Sequence, residues 1–138
     1  MSYTLSSIEA AVRASWSLES CDPVDVPDWS PQNPSRGQCG VTSLVLQDWL
    51  GGEMMICDMV YADGSPQGVH YWNRFENGLE VDLTWEQFRD GERIVAGSER
   101  SVGHPERRDD DRIIDQYRTL SARVAEALSA GASRRPRQ

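Results

Sequence analysis

The sequence predicts an α+β fold, and three observations predict it. Apolar residues recur at helical spacing in three separate segments. Between the second and third lie short runs rich in β-branched and aromatic residues, with turn signals between them. An Asn77-Gly78 pair falls where two of those runs must reverse direction. The expected architecture has N-terminal helices, a central helix bearing Cys39 packed on a small antiparallel sheet, and a C-terminal helix. At 138 residues a single domain is expected. It is placed at 1–131, with a disordered tail at 132–138.

In chain order, Ser6-Ser7-Ile8-Glu9 has capping-box spacing, and Leu5, Ile8, Val12 and Trp16 follow one helical face, so a helix is expected over about 6–17. Residues 19–37 carry four prolines and read as an extended surface connection, with Trp29 pinning it to the core. The second helix opens near Gln38 and ends at Gly51-Gly52; Val41, Leu44, Val45, Leu46, Trp49 and Leu50 cover much of its circumference, which places it centrally. Met54 to Tyr61 reads as a buried strand closed by a turn at 62–66. Val69 to Phe75 and Leu79 to Leu83 form a hairpin. Thr84 to Phe88 reads as a helical turn capped by Thr84, and 89–108 as polar and irregular, with one more short strand near Ile94-Val95. Asp109 to Ala130 forms a last amphipathic helix, ended by Gly131.

The hairpin register matters because side chains alternate faces, so a one-residue slip flips every assignment. A two-residue turn at Asn77-Gly78 would pair Asn73 with Asp82 and turn Asp82 away from His70. A three-residue loop, Glu76-Asn77-Gly78, pairs Phe75 with Leu79 and Trp72 with Asp82, which makes His70 and Asp82 diagonal neighbours on one face. The second register also gathers Tyr71, Phe75, Leu79, Val81 and Leu83 on the other face, so burial favours it independently.

Composition narrows the function. A net charge of -8 argues against a nucleic-acid partner, because phosphate binding needs clustered cations. No run of apolar residues approaches membrane-spanning length, and the N-terminus lacks a signal-peptide pattern, so a soluble cytoplasmic protein is expected. Three cysteines without CxxC spacing favour neither a disulfide framework nor a zinc site, and no metal or cofactor is expected.

The chemistry centres on Cys39. A thiol at a helix mouth meets unpaired N–H groups and the positive end of the helix dipole, which favour thiolate. The competing reading of any free cysteine is a small buried hydrophobe. Of the two histidines, His70 lies in a strand and His104 in a polar loop, so His70 is the candidate base. Asp82, between Val81 and Leu83, needs a partner: His70, or the helix mouth at Thr84. Asn73 and Gln87 orient the site or stitch loops together. Trp72 and Trp85 wall a pocket or fill core. Arg36 binds an anionic substrate or stays exposed. Cys21 and Cys57 are expected to be structural.

The motifs Asn33-Pro34, Gly37-Gln38-Cys39, Gly51-Gly52-Glu53, His70-Tyr71-Trp72-Asn73, Gly78, Asp82-Leu83-Thr84 and Gln87-Phe88, spread over roughly residues 16–128, resemble the YunG-like family of small bacterial proteins. The resemblance implies a papain/transglutaminase-like fold, with Cys39, His70 and Asp82 in the order of a catalytic triad. Gln38 stands directly before Cys39, whereas the oxyanion glutamine of papain-like proteases lies several residues earlier. Backbone N–H groups at Cys39 or Gly40 are therefore expected to bind the oxyanion, with Gln38 as a further donor. The expected function is a cysteine-nucleophile hydrolase or acyltransferase acting on an amide or thioester. Its substrate is a small-molecule, peptide or carrier-bound acyl group. A non-catalytic binding module and a metal-dependent enzyme are the alternatives.

Overall fold

The first helix begins two residues before the expected cap. Thr4, not Ser6, closes it: the Thr4 hydroxyl accepts the Ser7 N–H at 3.0 Å, and the Ser7 hydroxyl accepts the Thr4 N–H at 3.0 Å. The structure, a computed structural model, describes residues 3–103 and 113–134. Helix α1 (Leu5–Ser15) places Ile8 and Val12 in the core, followed by Trp16. Helix α2 (Cys39–Leu50) adds Val41, Val45 and Leu46, and helix α3 (Ile114–Arg134) adds Leu120, Val124 and Leu128. These residues form one apolar cluster, which the Trp16 indole ties to α2 by donating to Thr42 Oγ1 at 2.9 Å. Helix α3 runs through Gly131 rather than ending there. A helical glycine costs only about 1 kcal/mol, which does not stop a helix already propagating. The expected helix start at 109–112, the tail at 135–138 and His104 lie outside the described residues.

The proline-rich connection is folded, which corrects the expectation of an extended strap. It contains 3₁₀ turns at Leu18–Ser20 and Pro23–Asp28, opened by Ser17 and Asp22, whose side chains accept N–H groups of the turns they precede. Cys21, Ser35, Arg36 and Gln38 are buried by this folding. Trp29 donates to the Pro34 carbonyl at 3.0 Å, so it closes the connection on itself instead of pinning it to the core.

The sheet is antiparallel and curled, with five strands: β1 (Glu53–Val60), β2 (Pro66–Arg74), β3 (Glu80–Val81), β4 (Arg93–Ile94) and β5 (Arg100–Gly103). The order is β3-β2-β1-β4, and β5 also pairs with β1. Strand β1 is central and buried on both faces: Met54 and Ile56 on one, Met55, Cys57 and Met59 on the other. That explains its continuous apolar run.

The β2–β3 hairpin takes the three-residue loop. The Phe75 N–H meets the Leu79 carbonyl at 2.8 Å, the Gly78 N–H meets the Phe75 carbonyl at 2.9 Å, and Gly78 has φ +85°. Asn73 pairs with Val81 and Arg74 with Glu80, so Asp82 follows on the His70 face. Leu83 enters the helical core and Val81 packs against it. Leu79, expected with them, is 52% exposed, because the loop carries it past the end of α2. Thr84 precedes the 3₁₀ turn Trp85–Gln87, yet its side chain does not cap it. The hydroxyl instead accepts from Gln87 Nε2 at 3.2 Å.

Candidate functional site

Cys39 is the first residue of α2, and the local sequence leaves that helix mouth open. Gln38, the residue before it, turns its side chain inward. Its Oε1 accepts from the Ser20 hydroxyl at 2.7 Å, its Nε2 donates to the Ser17 carbonyl at 3.0 Å, and it is 0% exposed. The helix therefore has no side-chain cap among the described residues. Its first backbone bond runs from the Thr42 N–H to the Gln38 carbonyl at 2.9 Å, so the N–H groups of Cys39 and Gly40 have no partner within the helix. Gly37, at φ +72°, makes the turn into it.

His70 enters from β2, where it pairs with Cys57 of β1, and is 1% exposed. Its Nε2–H donates to Asp82 Oδ2 at 2.6 Å. Asp82 is held in turn by the Thr84 N–H on Oδ1 at 3.2 Å. The expected competition for Asp82 is thus resolved by sharing: each oxygen takes one partner. With Nε2 committed to Asp82, Nδ1 is the nitrogen left to serve Cys39, whose side chain is near enough to raise the histidine's pKa. Burial works against a charged imidazole here, but the hydrogen bonds and charges of Asp82 and Cys39 outweigh it, and the pKa is pushed up to about 9. Trp72 stacks on one side of the ring at 5.8 Å and Phe88 meets it edge-on at 4.7 Å.

This shift makes stability depend on pH with a definite sign. A histidine raised from 6.5 to about 9 stabilises the fold fully below pH 6.5, and the contribution is lost as pH rises through about 9. Chemical denaturation of the protein and of His70→Gln across that window should show the stability gap between them narrowing as pH rises. A gap that is flat or widens contradicts the ion pair.

Cys39 is half-buried and lines a cleft of about 510 Å³, together with Gly40, Tyr71, Gln87 and Phe88. Apolar side chains (Val41, Leu44, Met54) form much of its wall, and Asp22 and Asp25 stand at one end. His70 lies behind Cys39, and its other side borders a shallower depression of about 630 Å³ that includes Asp82 and Trp72.

Of the residues singled out in the sequence, the fold brings Cys39, His70, Asp82 and Gly40 together. Four others serve differently. Gln38 is sealed among serines and does not face the cleft, so its amide is no oxyanion donor. Arg36 is neither exposed nor free for a substrate anion. At 2% exposure it makes a two-pronged pair with Glu92 (2.7 and 3.2 Å) and faces Asp25 at 3.3 Å. Its charge is consumed internally. Asn73 donates to the Ser43 carbonyl at 3.0 Å, which stitches β2 to α2. Trp72 lies on the far side of His70 from the cleft and donates to Glu80 at 2.8 Å. The other two described cysteines are buried, and burial first of all pushes Cys21 up to about 12 and Cys57 up to about 11.

Gln87 and Phe88 are more central than the sequence reading made them. Gln87 Oε1 accepts the Gly37 N–H at 3.1 Å, its Nε2 stands 3.3 Å from His70 Nδ1, and its carbonyl accepts from Asn33 Nδ2 at 2.9 Å. One residue therefore clamps the Cys39 loop against the histidine. The Gln87-Phe88 pair following Thr84 is the only local signal of this.

Fold and site together define a small α+β protein in which a histidine hydrogen-bonded to an aspartate stands beside a cysteine at the edge of a cleft. The chain belongs to the YunG family: the family model described as YunG protein matches residues 4–129. It is similar to the "Uncharacterized protein YunG" of Bacillus subtilis (strain 168), at 34% identity over 82 residues, 59% of this chain. The match covers 61% of that relative's length. No solved structure matches the chain. No helix among the described residues is long and apolar enough to cross a membrane, and no group of three potential ligands there is placed to hold a metal ion.

Proposed function

We propose that this protein is a cysteine-nucleophile enzyme acting on an acyl group, an amide or a thioester, in the manner of papain- and transglutaminase-type enzymes. The observation that carries this reading is the line Asp82–His70–Cys39, with the nucleophile opening on a cleft. His70 Nδ1 takes the Cys39 proton, and Asp82 holds Nε2 and stabilises the imidazolium. The open α2 mouth supplies the Cys39 and Gly40 N–H groups where negative charge develops. Such an arrangement serves hydrolysis and transfer alike, depending on whether water or an amine meets the acyl-enzyme. A binding module that merely retained the frame would be expected to close over its cysteine, whereas Cys39 is half-buried at the cleft wall.

Iodoacetamide at neutral pH, followed by mass spectrometry, tests the nucleophile. Cys39 should be alkylated well ahead of Cys21 and Cys57, and His70→Ala should slow that alkylation about 10²-fold. Equal labelling of all three cysteines, or indifference to His70, counts against the reading. The acyl-enzyme is best sought with p-nitrophenyl acetate, which should leave an acetyl group on Cys39 and release p-nitrophenolate, and leave none on Cys39→Ser at that position.

A further inference from the structure

Sealing Gln38 among serines removes the side-chain donor nearest to Cys39 in sequence, and the fold puts another amide in reach. Which end of the Gln87 side chain is oxygen and which is nitrogen is settled by its neighbours. The Gly37 N–H can only donate, so the end 3.1 Å from it is Oε1. Nε2 then points the opposite way, with two hydrogens to place. One goes to the Thr84 hydroxyl at 3.2 Å. The other is directed at His70 Nδ1, 3.3 Å away, the nitrogen that Asp82 leaves free.

That second hydrogen has an acceptor only while Nδ1 carries a lone pair. With His70 charged, as a pKa near 9 makes it at neutral pH, Nδ1 bears its own proton, directed at Cys39. Two donors then meet at Nδ1, and Gln87 lines the same cleft as Cys39. At 4% exposure its amide is held by protein partners. A donor held without an acceptor next to a nucleophile is placed for the anion that forms when the nucleophile attacks.

We propose that the Gln87 side-chain amide is the oxyanion donor of the Cys39 site, acting with the backbone N–H groups at the α2 mouth. The assignment rests on the acyl-transfer reading above. As Cys39 Sγ bonds to the carbonyl carbon, the π pair moves onto the carbonyl oxygen, and that oxygen accepts from Gln87 Nε2. When the pair returns, the bond to the leaving group breaks. The Nδ1 proton of His70 passes to the departing nitrogen or sulfur. Water then attacks the thioester, His70 takes its proton, the C–Sγ bond breaks with its pair on Sγ, and the acid is released from the regenerated thiolate.

Two reactions of the same sulfur separate this role from a merely structural one. Acetylation by p-nitrophenyl acetate builds an oxyanion, and alkylation by iodoacetamide does not. Gln87→Glu keeps an oxygen for the Gly37 N–H but sets a carboxylate where the donor stood. It should lower the acetylation rate of Cys39 about 10²- to 10³-fold while alkylation falls far less. Gln87→Ala, which removes the donor without adding charge, should divide the two reactions in the same way and guards against a folding defect in the first variant. Parallel losses in both reactions, or acetylation undiminished in both variants, overturn the assignment. Wild-type Cys39 that alkylates yet never takes up an acetyl group instead overturns the acyl-transfer reading, and this assignment with it.

Discussion

Asp82→Asn should lower the rate of Cys39 acetylation at neutral pH about 10³-fold, one of the largest losses expected from a single change outside Cys39 itself. The carboxylate does two things for His70. Against burial it supplies, together with Cys39, the hydrogen bonding and charge that raise the pKa, and it fixes the proton on Nε2 through the 2.6 Å bond. Asparagine removes the Asp82 share, so the imidazole pKa falls from about 9. The imidazolium that persists to about pH 9 in the parent then deprotonates at lower pH, and the labelling profile should move with it. Asparagine can also turn its NH₂ to Nε2. The ring proton then sits on Nδ1, which can no longer take the Cys39 proton. Rates measured from about pH 5 to 10 for the parent and variant would separate these effects, since a shifted profile reports charge and a uniform drop reports tautomer. Because the raised His70 pKa is itself stabilising, the variant should also melt lower at neutral pH, and the Thr84 N–H, which can still bond an amide oxygen, limits that loss. A variant that acetylates Cys39 within a few-fold of the parent at every pH would remove Asp82 from the mechanism.

What could be read from the sequence was local. The hairpin register followed from the bulge glycine and from which face would gain apolar residues. The helix mouth at Cys39 followed from an apolar run with turn residues before it. The register places His70 and Asp82 on one face; that Cys39 stands beside them depends on how α2 packs on β2, which neither local feature carries. What escaped depends on partners far along the chain. Arg36 is buried because Glu92 and Asp25 converge on it, and nothing within its own proline-rich segment foretells Glu92. Gln38 sits next to the nucleophile in sequence but is drawn inward by Ser17 and Ser20. Gln87 reads as the third residue of a capped turn, with helical-turn spacing from Thr84, and that spacing serves a side-chain bond between the two rather than a cap. Strand β5 was missed because Arg100-Ser101-Val102-Gly103 has only one apolar residue and finds its pairing in Met55 and Ile56, over forty positions earlier. Gly131 misled in the other direction: a glycine stops a helix only where the backbone takes a left-handed turn, and it takes none there.

The second large effect concerns the loop that delivers Cys39. Gly37→Ala should destabilise the protein by about 2 to 5 kcal/mol, the sum of a left-handed backbone forced on alanine and an overpacked contact. Gly37 has φ +72°, and a Cβ built there falls 2.5 Å from Cys21 Sγ, 2.8 Å from Asp25 Cβ and 3.2 Å from the Asp22 nitrogen. None of these can retreat cheaply. The Cys21 thiol is buried against the Arg36 carbonyl, Asp25 is held by Arg36, and the Asp22 N–H donates to the Gly37 carbonyl at 2.8 Å. Relief must come from the loop, which would carry the Gly37 N–H away from Gln87 Oε1. For a chain of this length the cost corresponds to a melting temperature lower by roughly 10 to 20 °C. Gly51→Ala is the comparison: φ is +73° there too, but a Cβ meets nothing within 4 Å, so only backbone cost applies, about 1 to 3 kcal/mol for a glycine-favoured conformation with ψ -156°. If the two variants melt together, the crowding at Gly37 is not real. If Gly37→Ala folds with near-parental stability yet Cys39 loses its selective labelling, the loop has yielded at the site while the core has held. The tight turn would then be shown to position the sulfur rather than the fold.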